Sequence, residues 1–276
     1  MKKTIFAVSD IHGYYEALIE GLERAGFDEN NPNHLLISIG DAFDRGPDAL
    51  RVYKFLKGLS DQNKAVVLKG NHTLFFTEYL DGTSLSPFNY FNNGTNETLA
   101  DFLYCTAPFE SWCMIDKGIN VPTNADFAQW LSEAREAINK EFPELLEWLK
   151  ARPYYYETEH YIFTHGSIDT KAEDWHKPHC EKYRYHDWDA LMWDDGSFFG
   201  KPILNTDKTV VIGHFGTRHL RTMYGIPSKS YKESFDILTR DDGKVIALDA
   251  TTVVSGRINV LVIEEEEVVD GKEKER

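Results

Sequence analysis

The chain has 276 residues, 42% hydrophobic and 27% charged, a composition that supports one sizeable buried core and excludes global disorder. Its formal net charge of −15 argues against general binding to nucleic acid or anionic membranes, which need broad basic surfaces. Three cysteines (Cys105, Cys113, Cys180) form an odd set without a C-x-x-C pair, so a reducing compartment is expected rather than a disulfide framework. The apolar run after Met1-Lys2-Lys3 is too short for a secretory signal, and no window approaches the ~18 consecutive apolar residues of a membrane span. A cytoplasmic protein with no membrane partner is therefore expected, and nucleic acid is not an expected partner.

The first eighty or so residues repeat one unit: an apolar run, a polar cluster, then an amphipathic stretch. Thr4 to Ser9 leads to Asp10-Ile11-His12-Gly13 and a helical pattern from Tyr14 to about Ala25. Leu35 to Gly40 leads to Asp41 and Asp44-Arg45-Gly46, with Pro47 suited to a first helical turn. Ala65 to Gly70 leads to Asn71-His72 and another helix. Continuous apolar runs alternating with helices indicate parallel strands buried on both faces, and sites in such sheets collect outside the strands' carboxyl ends.

From about 81 to 153 the pattern becomes mainly helical, which reads as an insert packed on the same core. Strand signals return at Tyr161 to Thr164, ending in His165-Gly166, and at Thr209 to Gly213, ending in His214. Lys244 to Leu248 and Arg257 to Ile263 read as two further strands pairing with each other as a meander. The aromatic, polar segment 171–208 is expected to cap the site, and 266–276 to form a disordered acidic tail. The domain is thus expected to span 1–265. His176-Lys177-Pro178-His179-Cys180 lacks the second ligand pair of a zinc site and reads as cap surface.

Five segments carry the chemistry: Asp10-Ile11-His12, Gly40 to Gly46, Gly70-Asn71-His72, His165-Gly166 and Gly213-His214. Each alone has an ordinary reading. Asp10 could cap a helix, Asp41 and Asp44 could close an Asx turn, and either late histidine could sit satisfied in a core. Together they put oxygen and nitrogen donors at the ends of five predicted strands. Carboxylate, imidazole and amide donors without thiolate suit two divalent ions such as Mn, Fe or Zn.

These segments resemble the GDxHG, GDxxDRG, GNHE, HG and GH motifs of calcineurin-like metallophosphoesterases, in particular the phosphoprotein-phosphatase branch. That branch includes bacterial protein phosphatases and symmetrical diadenosine tetraphosphatases. Phe91 to Leu99 resembles its NGG-x-x-TL stretch, and Leu248-Asp249-Ala250 through Gly256-Arg257 its late D-T-G…GG-K-L segment. The resemblance implies a four-layer αββα sandwich of class α/β, with two mixed β-sheets. It implies Asp10, His12 and Asp41 around one ion, with Asp41 bridging to a second ion completed by Asn71, His165 and His214. Manganese is the metal it favours, with iron, zinc or nickel as alternatives. Asn71 would also face the substrate, Arg45 would clamp the phosphate, and His72, oriented by Asp44, would protonate the leaving oxygen.

The implied reaction is hydrolysis of a phosphorylated protein or small phosphoester by metal-activated water. The alternatives are a dinucleoside polyphosphate substrate and a non-catalytic descendant that kept the fold. Three departures stand out. Ser9 replaces the opening glycine, Thr73 replaces the glutamate of GNHE, and Trp193-Asp194-Asp195 stands where bacterial relatives have W-x-R. The missing arginine weakens the polyphosphate reading, and Arg218 or Arg184 are the candidates to replace it.

Overall fold

The computed structural model describes residues 3–83, 86–104, 124–172, 175 and 189–265. Strands β1 (Lys3–Val8), β2 (His34–Ser38) and β3 (Ala65–Val67) pair in parallel in the order β3-β2-β1. Parallel neighbours need a crossover, and the intervening amphipathic stretches supply it as α1 (Tyr15–Ala25) and α2 (Ala49–Asp61). A third helix, α3 (Asn71–Asp81), follows β3. Pro47 precedes α2 rather than entering its first turn, because Asp48 takes the N-cap position.

The insert folds as helices α4 (Pro87–Asn92), α5 (Thr95–Phe102), α6 (Asn124–Glu141) and α7 (Leu145–Lys150). Tyr90, Phe102, Ile138 and Trp148 join the same buried cluster as Phe6, Leu22 and Leu56, so these helices cover the outer face of the first sheet.

The second sheet is also mixed. It comprises β4 (Tyr155–Glu157), β5 (Tyr161–Thr164), β6 (Thr209–Ile212), β7 (Leu238–Thr239) and β8 (Val245–Ala247), in the order β4-β5-β6-β8-β7. The central three run parallel, and short antiparallel strands close both edges. Tyr155 and Tyr156 belong to the edge strand β4.

Strand alternation sorts the core into layers. Ile5, Ala7, Leu35 and Ile37 meet Phe163 and Val211 in a cluster between the two sheets. The alternate residues Phe6, Val8 and Leu36 face the helices of the first sheet, and Ile162, Val210 and Ile212 face outward on the second. The result is the expected four-layer α/β arrangement with two mixed sheets. Every parallel strand is apolar on both faces, which is why its sequence reads as a continuous run.

The expected meander does not form. β8 lies between β6 and β7, so both of its edges are occupied. The last strand, β9 (Leu261–Glu265), crosses to the first sheet and pairs antiparallel with β1. The connecting segment between β8 and β9 passes over the loop after β1, where the Thr252 hydroxyl donates to the Asp10 carbonyl at 2.8 Å. Within the segment expected to cap the site, Leu191, Phe198 and Phe199 pack into the outer cluster of the second sheet. The cysteines, the His176–Cys180 stretch, Arg184 and the 266–276 tail lie outside the described residues. Among the described residues, no helix is long and apolar enough to cross a membrane.

Candidate metal centre

All nine residues singled out from the motifs fall in the loops, or the first helical turn, at the carboxyl ends of strands. Asp10 and His12 follow β1; Asp41, Asp44 and Arg45 follow β2; Asn71 and His72 follow β3; His165 follows β5 and His214 follows β6. Asp10, His12, Asp41, Asp44, Asn71, His72 and His165 are buried. Positive φ values recur here, at Asp10 (52°), His12 (49°), Asp41 (46°), Asp44 (70°), Arg45 (73°) and His214 (61°). Left-handed backbone is costly for residues with a Cβ and concentrates at functional sites, where surrounding structure enforces it.

Two donor groups result, and Asp41 belongs to both. In one, Asp41 Oδ2 lies 3.1 Å from His165 Nε2. Asn71 Oδ1 lies 3.1 Å from the same nitrogen and 3.0 Å from His214 Nδ1. The two imidazole nitrogens stand 3.2 Å apart. The other group is His12, Asp41 and His72; Asp10 stands beside it, with His12 Nε2 3.9 Å from both Asp10 Oδ1 and Asp41 Oδ2. Backbone carbonyls fix the rings: His12 Nδ1 donates to Phe43 and His165 Nδ1 to Ile39, each at 2.9 Å. Both Nε2 atoms are thereby turned to the centre.

The electrostatics suit a cation. Burial, with Arg45 nearby, holds His12 well below the usual imidazole range. Burial and the neighbouring His165 lower His214 to about 3. Both are therefore neutral and keep a lone pair for a metal. Burial works against a charge on His165, but the Asp41 carboxylate overrides it and lifts the ring to about 9. Burial likewise works to raise Asp41, while His165 and His72 hold it well below the carboxylate range. The proton on His165 balances the carboxylates where an ion would otherwise do so, and metal binding would release it. Burial and the neighbouring Asp10 push the Asp249 carboxyl up to about 8.

His72 lies close to His12 and Asp41, yet both of its ring nitrogens are engaged. Its Nδ1 contacts Asp44 Oδ2 at 2.7 Å, and Arg45 Nη2 lies 3.0 Å from its Nε2. The other arm of the Arg45 fork reaches His12 Nε2 at 2.9 Å. One lone pair cannot serve both a guanidinium and an ion, so loading the His12 side requires Arg45 to let go of it. That frees Nη1 for an oxyanion, while Nη2 still lies against His72 Nε2.

Sequence reasoning missed the supports. Thr95 and Thr98, one turn apart on α5, both donate to Asp44, at 3.2 and 2.9 Å. The Asp44 N–H donates back to the Thr98 hydroxyl at 2.8 Å. The T-x-x-T spacing on a helix was the available signal. Ser9 donates to Asp10, so the departure from glycine adds a hydrogen bond to a candidate ligand. Phe75 and Trp193 form an aromatic rim, with ring centroids 5.8 Å apart, beside His72 and His214.

Gly94 (φ 86°) accepts from the Arg45 N–H at 3.1 Å, and a Cβ there would strike the Arg45 backbone. Gly94→Ala is therefore expected to destabilise the fold by about 2 kcal/mol or more, through left-handed strain and overpacking. Thermal unfolding measures that loss. A weakened apparent affinity for phosphate, measured by titration, should accompany it as the Asp44-Arg45 loop shifts.

An α/β sandwich with oxygen and nitrogen donors converging at its strand ends defines a metal-dependent hydrolase architecture. The calcineurin-like phosphoesterase family model matches residues 3–248, and the chain belongs to that family. A symmetrical bis(5'-nucleosyl)-tetraphosphatase of Aeromonas hydrophila is 42% identical over 77 residues, covering 28% of this chain and 27% of that protein. The curated relatives are thus matched over well under half their length. Among solved structures, a cold-active protein-tyrosine phosphatase of Shewanella superposes with TM-score 0.52 at 17% identity, covering 95% of this chain and 77% of the other. A Saccharomyces cerevisiae serine/threonine phosphatase does so with TM-score 0.51 at 13% identity, covering 96% and 80%. At those identities the likeness is one of fold.

Proposed function

We propose that this chain is a phosphoesterase dependent on two divalent metal ions, hydrolysing phosphomonoesters and above all phosphoserine or phosphothreonine in proteins. Asp10, His12 and Asp41 would hold one ion, and Asp41, Asn71, His165 and His214 the other. Oxygen and nitrogen donors fit manganese, the metal we favour, as well as iron, zinc or nickel. Two ions bound there would acidify water towards neutrality and offset phosphate charge.

The chain's own groups do the rest. Arg45, once turned from both His12 and His72, presents paired N–H donors to two phosphate oxygens. Asn71 lies beside the same space. His72, held through Nδ1 by Asp44, would carry a proton on Nε2 to the departing ester oxygen once Arg45 has turned from Nε2 to the phosphate.

The observation that carries the monoester reading is the supply of cations. Among the described residues, Arg45 is the one whose guanidinium contacts the site's side chains. In Trp193-Asp194-Asp195, the Asp194 carboxylate closes a turn by accepting from the Gly196 N–H at 2.9 Å. Arg218 is exposed and turned away, donating to the Tyr231 hydroxyl at 3.2 Å, with its guanidinium 4.6 Å from that ring's centre. One fork suits a single phosphoryl group better than a polyphosphate chain. The second reading, a dinucleoside tetraphosphate substrate, rests on the activity named for the curated relatives.

A competition assay separates them. Manganese-loaded protein receives a phosphothreonine peptide and diadenosine tetraphosphate together, with a chelator control, and chromatography follows the products. Metal-dependent loss of peptide phosphate is expected. Conversion of the dinucleotide with the peptide untouched would move the protein to the second reading.

A further inference from the structure

A cavity of about 340 Å³ opens beside His12 and Arg45. It runs between Phe91 and Glu97, at the corner of α4 and α5, and Thr251 and Val253 in the segment after β8. Phe91 gives it a buried apolar wall and Val253 a partly exposed one. Two of its lining residues hold polar atoms that are buried without a hydrogen-bond partner, Glu97 Oε2 and Thr251 Oγ1. Thr251 is also held in left-handed backbone (φ 50°), an uncommon state for a β-branched residue. Buried polar groups are ordinarily satisfied, so orphaned atoms around a cavity mark a place where a ligand's polar groups belong.

Arg45, the proposed phosphate clamp, lines this cavity, so the cavity adjoins the phosphoryl site and is placed to receive what the phosphoryl group is attached to. We propose that this cavity is the leaving-group subsite, and that Glu97 makes it select a phosphopeptide with an arginine or lysine next to the phosphorylated residue. The inference rests on the phosphomonoesterase reading and adds the recognised sequence to it. The chemistry follows from the lining. An orphaned carboxylate oxygen needs a donor, and a basic side chain supplies several on an apolar stem that suits the walls of Phe91 and Val253. The same carboxylate would repel a second phosphate that entered this cavity. The overall charge of −15 also favours basic over acidic peptides as partners in general.

Two phosphothreonine peptides, identical except for arginine or leucine beside the phosphothreonine, test this with the manganese-loaded full chain. Wild type is expected to favour the arginine peptide in kcat/KM by at least about tenfold, the size of one charge-assisted hydrogen bond. Glu97→Gln should bring the ratio close to one. Val253→Lys, at a partly exposed wall position, puts a cation into the same cavity and should also lower the ratio. It serves as the second variant if Glu97→Gln folds poorly. Equal turnover of both peptides by wild type, or a ratio unchanged in both variants, would overturn the subsite assignment and leave the phosphatase reading standing. Turnover of neither peptide would remove both.

Discussion

Asp41→Asn is expected to leave the protein unable to retain two metal ions. Asp41 is the residue common to both donor groups, and its Oδ2 lies 3.1 Å from His165 Nε2 and 3.9 Å from His12 Nε2. Its Oδ1 accepts from the His72 backbone N–H at 3.0 Å, which fixes the carboxylate plane. Asparagine preserves that shape and one oxygen, but replaces the other with an amide that offers protons instead of a lone pair. Losing a group that merely orients a ligand typically costs about 10–100-fold in metal affinity. Loss of a ligand shared by two ions should reach or exceed the upper end of that range. Metal analysis after dialysis against manganese is expected to find two ions per chain in wild type and at most one in the variant. Thermal unfolding gives an independent reading, since a ligand at 100 times its Kd stabilises the fold by about 2.7 kcal/mol. That manganese-dependent gain should shrink in Asp41→Asn. Two ions retained with undiminished affinity would remove Asp41 from its bridging position.

The expectation could be written from sequence because the donors are locally encoded. Each follows a short apolar run directly, and those runs are unbroken because Ile5 and Ala7 face one layer while Phe6 and Val8 face another. The pairing of Thr4 with Glu264 has no such local signature. β9 looked like a partner for β8 because the two are close in sequence, and only the occupied edges of β8 send it to the other sheet. β7, two residues long, was too short to register a period.

The same division runs through the site. Asp44 and His72 were legible as motif residues, whereas the threonines that hold Asp44 come from a helix about fifty residues further along. The positive φ angles were also hidden. Asp and His tolerate left-handed backbone better than most residues, so no glycine marked those positions. Arg218 illustrates the opposite error of proximity. It stands four residues after His214, but α8 (Thr217–Tyr224) turns it towards Tyr231.

His72→Asn should separate proton transfer from metal binding. The chain of hydrogen bonds runs from Thr95 and Thr98 to Asp44 and then to His72 Nδ1 at 2.7 Å, with Nε2 on the side of Arg45, whose Nη2 lies 3.0 Å away. An alkyl ester departs as a poor leaving group unless it is protonated, whereas a nitrophenolate leaves readily without help. The variant is therefore expected to lose about 10²–10⁴-fold in kcat on an alkyl phosphate or phosphothreonine peptide, the usual range for a positioned general acid. Its loss on p-nitrophenyl phosphate should be much smaller. The His72 contact to Asp41 passes through the backbone N–H, which asparagine retains, so metal analysis should still find two ions. A matched loss on both substrates would mean that His72 binds or positions the phosphate through Arg45 and does not donate a proton. Undiminished turnover of the alkyl ester would show that the proton comes from another group, and Asp44 would then lose its proposed part in catalysis as well.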